Sequence, residues 1–321
     1  MRRRLHGDLE FTELGFGGAQ LGNLYRETSE EEAAGAVDAA WNAGIRYFDT
    51  APHYGLGLSE RRLGNALGGR ARDAFLVSTK VGRLLVPTNE PLPDDEGFAV
   101  SPNLRRVRDY SRDGIRRSVD ESLKRLALDR IDIVYLHDPD DYWEVASREG
   151  APALAELRDE GVIGAFGAAM NQIPMLLNFI DRCDVDLVMV AGRHTLLEPI
   201  GQERLLPLAA QHGVGVVVAG VYNSGLLSRP RPSRGAKFNY EDAPDEAIHH
   251  AVELAERCEA HGTTLPAAAV QFPLISQEVV SVVIGARTSE QVYNSAENYQ
   301  SQIDPALWNE LNDTRSIPTV R

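Results

Sequence analysis

Three short apolar runs in this chain each finish on a side chain capable of proton or ion-pair chemistry: Arg46-Tyr47-Phe48-Asp49, Leu76-Val77-Ser78-Thr79-Lys80 and Ile133-Val134-Tyr135-Leu136-His137. A phenol follows the first of them, as Tyr54 in Ala51-Pro52-His53-Tyr54-Gly55. The four types form a coherent set. A phenol with a free pKa of about 10 exchanges protons poorly near neutrality, and a neighbouring ammonium favours its charged form. Lys80 supplies that charge and pulls the pKa of Tyr54 down. Asp49 keeps Lys80 protonated in a partly desolvated cleft and fixes its position. Tyr54 is then the general acid/base at a carbonyl or hydroxyl oxygen, and a neutral His137 donates a hydrogen bond to that same oxygen. The chemistry is hydride transfer between a carbonyl and an alcohol. Taken singly, each residue has a structural alternative: Lys80 as a solvated strand end, His137 with Asp138-Pro139 as a turn. Their shared place at the ends of successive runs argues for one site.

A closed barrel would bring those ends together. Eight candidate strands punctuate the chain, at Leu14–Ala19, Tyr47–Ala51, Phe75–Val81, Ile131–His137, Ala165–Met170, Leu187–Gly192, Gly215–Gly220 and Val279–Gly285. Helical periodicity fills the gaps. Glu30–Ala43 opens behind Ser29 as a cap, Asp113–Leu126 carries Ile115, Val119, Leu123 and Leu126 on one face, and Ala247–Ala260 follows the acidic Glu241–Glu246 stretch. Alternation of this kind over 321 residues predicts a single (β/α)8 barrel domain spanning 1–321, with its active site at the C-terminal ends of the strands. A doubly wound sheet would announce a dinucleotide site with Gly-x-Gly-x-x-Gly after its first strand. Gly15-Phe16-Gly17-Gly18 lacks that spacing, and a strand lying close to another backbone competes with a cofactor contact as its meaning. Gly82–Arg112, with four prolines and mixed charge, is expected to be one long irregular and functional loop.

Bulk properties narrow the partners. The 33 Lys and Arg against 47 Asp and Glu give a net charge of -14, which repels phosphate backbones and anionic lipid surfaces, so neither nucleic acid nor membrane is expected. The opening Met-Arg-Arg-Arg is not followed by the apolar run of a signal peptide, and no stretch reaches the about 18 apolar residues of a membrane span, which points to a cytoplasmic protein. Cys183 and Cys258 lack the close spacing of a zinc or redox pair and read as reduced, structural thiols.

The segment Phe48-Asp49-Thr50-Ala51-Pro52-His53-Tyr54-Gly55, with Ser59-Glu60 and Leu63-Gly64 behind it, resembles the first signature of the aldo-keto reductases. Ser78-Thr79-Lys80 and Leu136-His137 match the family's other catalytic positions. Ser122-Leu123-Lys124-Arg125-Leu126, Asp132-Ile133, Gly161-Val162-Ile163-Gly164 and Ile284-Gly285-Ala286-Arg287-Thr288-Ser289-Glu290-Gln291 follow in family order, so the likeness covers nearly the whole chain. It implies an N-terminal β-hairpin, extended loops on the C-terminal face of the barrel, and an NAD or NADP cofactor. Asp109-Tyr110-Ser111, His137-Asp138-Pro139-Asp140 and Ala191-Gly192-Arg193-His194-Thr195-Leu196-Leu197 are similar to the branch of aldose, L-fucose and pyridoxal dehydrogenases. The implied substrate is an aldose, a cyclic hemiacetal or another small polar carbonyl compound.

By the same resemblance, cofactor contacts fall on Asn171, Ser224, Gly225, Gly285, Arg287, Gln291 and Asn294. Ala169-Met170-Asn171 displaces by one residue the amide that grips the nicotinamide carboxamide, and Asn171 is its substitute. The usual glutamine of strand six is lost within Val190-Ala191-Gly192, and the stacking aromatic after strand seven falls on Ala219 or Gly220. Tyr222 is the candidate replacement, with a surface-loop tyrosine as the competing reading. Ser224-Gly225-Leu226-Leu227 keeps a small-residue turn that lets backbone approach a pyrophosphate. Arg287 alone offers charge for a ribose 2′-phosphate, since Gln291 hydrogen-bonds a hydroxyl but cannot pair with phosphate. Weak NADP selectivity follows as the expectation. Two other classes compete: a non-catalytic cofactor-sensing subunit of the same fold, and a metal-dependent barrel enzyme using His137, Asp138, Asp140 and Asp141. Trp143 reads either as a wall of the pocket or as a loop anchor.

Overall fold

Short β-branched runs and capped amphipathic helices alternate along the chain because neither can bury its apolar face alone. The computed structural model describes residues 1–89, 96–101, 103–233, 235–239 and 241–313. A hairpin, β1 (Arg3–His6) and β2 (Leu9–Thr12), precedes β3 (Leu14–Gly17), α1 (Glu30–Asn42), β4 (Tyr47–Asp49), α2 (Leu58–Leu67) and β5 (Leu76–Val81). After β5 come β6 (Arg83–Pro87), β7 (Leu104–Arg108), α3 (Arg112–Leu126), β8 (Ile131–His137), a single turn α4 (Trp143–Val145), α5 (Ala151–Asp159), β9 (Ile163–Met170), α6 (Ile173–Arg182) and β10 (Leu187–Ala191). The remainder is α7 (Gly201–His212), β11 (Gly215–Ala219), β12 (Lys237–Phe238), β13 (Glu241–Asp242), α8 (Asp245–Ala260), α9 (Leu265–Gln271), β14 (Val279–Gly285), α10 (Ser289–Gln300) and α11 (Pro305–Asp313).

Strands β3, β4, β5, β8, β9, β10, β11 and β14 close into one all-parallel barrel, in the order expected from the sequence. Helix α1 starts where Ser29 caps it: the serine accepts from Glu32 N, and the Glu32 side chain accepts in return from Ser29 N. The outer core lies between strands and helices, with Phe16, Phe48, Val77, Val134 and Phe166 fully buried. Each such side chain contributes about 1.5–3 kcal/mol by leaving water. Phe11, on β2, plugs the N-terminal end of the barrel against Tyr47, with ring centroids 5.1 Å apart. Arg4 pins that hairpin by donating to the carbonyls of Leu274, Ser276 and Val279.

The structure corrects the reading of Gly82–Arg112 as an irregular loop. Within it β6 and β7 form an antiparallel hairpin, registered from Arg83 opposite Arg108 to Pro87 opposite Leu104; the segment's residues 90–95 and 102 lie outside the described residues. Leu84 and Leu85 of β6 are buried, and the strand packs against α3. The arginine-rich β7, Leu104-Arg105-Arg106-Val107-Arg108, shows almost no apolar alternation, which is why its strand character is hard to see in the sequence. Trp143 proves to be an anchor: its ring packs edge-on against Phe179 of α6, with centroids 5.0 Å apart.

Candidate active site

Side chains alternate across a strand, so the residues that end the inward faces of β4, β5 and β8 meet at one mouth of the barrel. They are Asp49, Lys80 and His137, respectively 3, 2 and 7% exposed. Tyr54 arrives from the turn after β4, and remains partly exposed. That turn is fixed by Tyr54 N donating to Ala51 O and Gly57 N to Pro52 O. Gly55 sits at φ 63°, and a Cβ there would come within 2.2 Å of Gly22 O, so only glycine lets the turn seat against the loop after β3.

The Lys80 ammonium uses its three protons on three oxygens: Asp49 Oδ2 at 2.6 Å, Thr50 O at 3.1 Å and the Tyr54 hydroxyl at 3.1 Å. Burial alone would lower the pKa of Lys80, but the charge of Asp49, the Tyr54 oxygen and the hydrogen bonds to both together outweigh it, and the net shift is upward. Tyr54 ends above its ordinary value. Burial raises it, Lys80 pulls against burial, and Asp49 and Asp138 add to the rise. The sequence-based expectation of a lowered pKa therefore holds for Lys80's own influence and not for the sum. His137 is held far below its ordinary value by burial, then by Arg83 and Lys80, so its imidazole is neutral. Its ring stands perpendicular to that of Tyr54, with centroids 5.9 Å apart.

Residues that sequence reasoning passed over complete the mouth. Arg83, at the start of β6, places Nη1 3.1 Å from His53 Nδ1 and pairs through Nη2 with Asp138. His53 packs 5.4 Å from the His137 ring and 5.2 Å from Phe98, and burial with Arg83 pushes its pKa down to about 2. Tyr110 donates to the carbonyl oxygens of His137 and Asp138, fixing the chain where β8 ends. Treating Gly82–Arg112 as irregular hid Arg83, whose adjacency to the Lys80 strand was the available signal. Asp140 and Asp141 lie on a short 3-10 turn, and among the described residues no group of three or more His, Cys, Asp or Glu could hold a metal ion.

The expected cofactor residues occupy the opposite arc of the mouth. Asn171 follows β9 and donates through Nδ2 to Ala191 O at 2.8 Å, at the end of β10. Ser224 and Gly225 lie in an exposed turn, at φ 58° and 99°, directly after Asn223 at 46°. Gly285 ends β14 with the Gln20 amide against it, and Gln20 Oε1 is buried without a hydrogen-bond partner. Gln291 and Asn294 are exposed, one turn apart on α10. Two of the expected contacts have partners within the protein. The Arg287 guanidinium is 7% exposed and turned into the loop after β3, donating to Leu24 O, Arg26 O and Thr28 Oγ1, while its backbone N donates to the Gln291 side chain. Tyr222 is half-buried, packed against two apolar clusters with its hydroxyl toward Ser295 and Asn298 of α10.

The model of the aldo/keto reductase family matches residues 13–315. The chain is 47% identical over 311 residues to the D-threo-aldose 1-dehydrogenase of a Pseudomonas species, covering 95% of this chain and 94% of that one. It is 38% identical over 322 residues to the pyridoxal 4-dehydrogenase of Microbacterium luteolum, covering 94% of each. Among solved structures, it is similar to an aldo-keto reductase from Bacillus halodurans in its holo form, at 28% identity and a TM-score of 0.76, over 98% of this chain and 96% of that one.

Proposed function

The chain belongs to the aldo/keto reductase family and is an oxidoreductase, and from that premise we propose that it oxidises an aldose or a similar small polar hemiacetal with NAD as a competent acceptor, through Asp49, Tyr54, Lys80 and His137. The observation that carries this reading is the single ammonium of Lys80 held between Asp49 Oδ2 and the Tyr54 hydroxyl. Lys80 stabilises negative charge on the Tyr54 oxygen, which then takes the proton of a substrate hydroxyl. In the reductive direction Tyr54 returns that proton to the carbonyl oxygen. His137, neutral, donates a hydrogen bond to the same substrate oxygen and orients it. His53, Phe98 and Arg83 form a wall on one side of the His137 ring. An intact ion pair and phenol argue against a purely cofactor-sensing role.

The nicotinamide dinucleotide supplies the hydride acceptor when bound. Asn171, Ser224, Gly225, Gly285, Gln291 and Asn294 would hold it. The unpartnered Gln20 Oε1 beside Gly285 fits such a group, and the exposed left-handed turn at Ser224–Gly225, with a glycine in it, lets a ligand approach the backbone closely. Arg287 supports weak discrimination between cofactors, because its guanidinium is already bonded to the loop after β3. Residues 1–321 are proposed to act as one domain around this site. Initial rates with aldoses, pyridoxal and simple aldehydes, each with NAD and NADP, test the reading. Turnover of a sugar with NAD is the expected result; no oxidation or reduction of any of these compounds would overturn it.

A further inference from the structure

Beneath the ionisable layer lies a second one. Positions two residues back on the same strands face the same way, which puts Tyr47 under Asp49, Ser78 under Lys80 and Tyr135 under His137. All three have no exposed surface. The interior of such a barrel is ordinarily filled by branched aliphatic side chains, as it is here by Ile133, Val217 and Val283. A phenol in that setting costs free energy unless its hydroxyl is bonded. The barrel makes room for one nonetheless: a Cβ on Gly15 would lie 2.8 Å from the Tyr47 ring.

The hydroxyls connect. Strand register sets Asp49 beside Ser78, whose Oγ donates to Asp49 Oδ1 at 2.7 Å. Tyr47 OH lies 3.0 Å from Ser78 Oγ, and Tyr135 OH lies 3.4 Å from Tyr47 OH. Serine has one hydroxyl proton, already given to Asp49, so Tyr47 must donate to Ser78. Tyr47 then has none left, so Tyr135 donates to Tyr47. Every O–H dipole in the row points toward the Asp49 carboxylate, whose other oxygen binds Lys80. Burial holds both phenols above the ordinary tyrosine range, so they stay protonated: Tyr135 donates to Tyr47, and Tyr47 accepts that bond and donates to Ser78.

We propose that Tyr47, Ser78 and Tyr135 are positioning residues: a one-directional row of hydrogen bonds fixes Asp49 through Oδ1, keeps Lys80 against the Tyr54 hydroxyl, and so sets the pH at which Tyr54 exchanges its proton. This rests on the proposed acid/base role of Tyr54. The groups that face Tyr54 are Lys80, Asp49, Asp138 and the neutral imidazoles of His53 and His137; those that face Asp49 are Lys80, Tyr54, Tyr47 and Tyr135. Without the Ser78 proton, the carboxylate is free to turn and its charge concentrates on Lys80. The ammonium then moves off the phenol, and Tyr54 titrates higher.

The test is a tyrosinate absorbance titration of Ser78→Ala, Tyr47→Phe and Ser78→Thr, each differenced against the same protein carrying Tyr54→Phe, together with kcat and KM against pH. Ser78→Ala is expected to raise the Tyr54 titration by roughly one pH unit and to cut kcat near neutrality roughly tenfold, with KM and cofactor affinity unchanged. Tyr47→Phe shifts it less, in the same direction, and Ser78→Thr restores the wild-type curve. A Tyr54 titration unmoved in Ser78→Ala and Tyr47→Phe overturns the proposal, as does a loss confined to KM or to melting temperature. If Ser78→Ala does not fold, Tyr47→Phe, which removes one oxygen atom, decides alone. The titration needs no substrate, so its failure is distinct from failure of the oxidoreductase reading, which would show as no wild-type turnover.

Discussion

Two arcs of the same barrel mouth are built in opposite ways. On the β4, β5 and β8 side, function sits in side chains at strand ends, buried and locked by hydrogen bonds as short as the 2.6 Å of Lys80 to Asp49. On the β9, β10, β11 and β14 side, the candidate contacts are exposed side chains, glycines and a left-handed turn, Asn223 to Gly225. The first arc is preorganised for proton transfer, which demands tenths of an ångström. On the proposed reading, the second would present backbone and amides to a large ligand. Single changes on the first arc should therefore act on rate, and changes on the second on affinity.

Tyr54→Phe is the largest expected effect. It removes the transferable proton and almost no volume, so kcat should fall by about 10²–10⁴-fold, the usual worth of general acid/base catalysis. Cofactor affinity, read by fluorescence titration, should stay near normal. Retention of more than about a tenth of the wild-type rate would remove Tyr54 from its role. Asp49→Asn comes next, because it leaves Lys80 buried without its counter-charge. Breaking such a pair costs about 3–5 kcal/mol, measurable by urea unfolding, unless Lys80 gives up its proton, in which case the rate falls instead. An enzyme of unchanged stability and rate would contradict the geometry.

On the other arc, Arg287→Ala should free the loop after β3 and weaken NAD and NADP alike, by roughly tenfold if the lost hydrogen bonds carry about 1.4 kcal/mol. The ratio of kcat/KM for the two cofactors is the discriminating number. A loss falling on NADP alone would return the guanidinium to the phosphate, as the sequence by itself suggests. Asn171→Ala is the smallest: one hydrogen bond to Ala191 O is removed, worth about 0.5–1.5 kcal/mol, and it should appear in cofactor affinity with kcat little changed.

The two arcs also differ in how much of them the sequence discloses. Asp49, Lys80 and His137 were legible because each closes an apolar run, and a barrel brings such ends together whatever the loops do. All eight barrel strands were legible for the same reason, as was Ser29 at the head of α1. The direction of the Arg287 side chain was not, since it depends on carbonyls at Leu24 and Arg26 about 260 residues away in sequence. Nor was the packing of Tyr222 legible, because a loop position does not reveal that its hydroxyl turns toward α10. The hairpin β6–β7 escaped notice because its second strand is mostly arginine. Tyr47, Ser78 and Tyr135 could have been found: each stands two residues before a catalytic candidate, and a polar residue there breaks the aliphatic pattern of a barrel interior.

The central claim is that Lys80 holds down the pKa of Tyr54. The pH dependence of kcat/KM for oxidation, in wild type and in Lys80→Met, tests it most directly. Burial already raises Tyr54, and Lys80 is the main opposing influence. Oxidation needs the Tyr54 oxygen as a base, so the rate rises with pH through its pKa. Removing the cation should move that limb to higher pH as well as slow the enzyme; a slower enzyme with its limb in place would contradict the account.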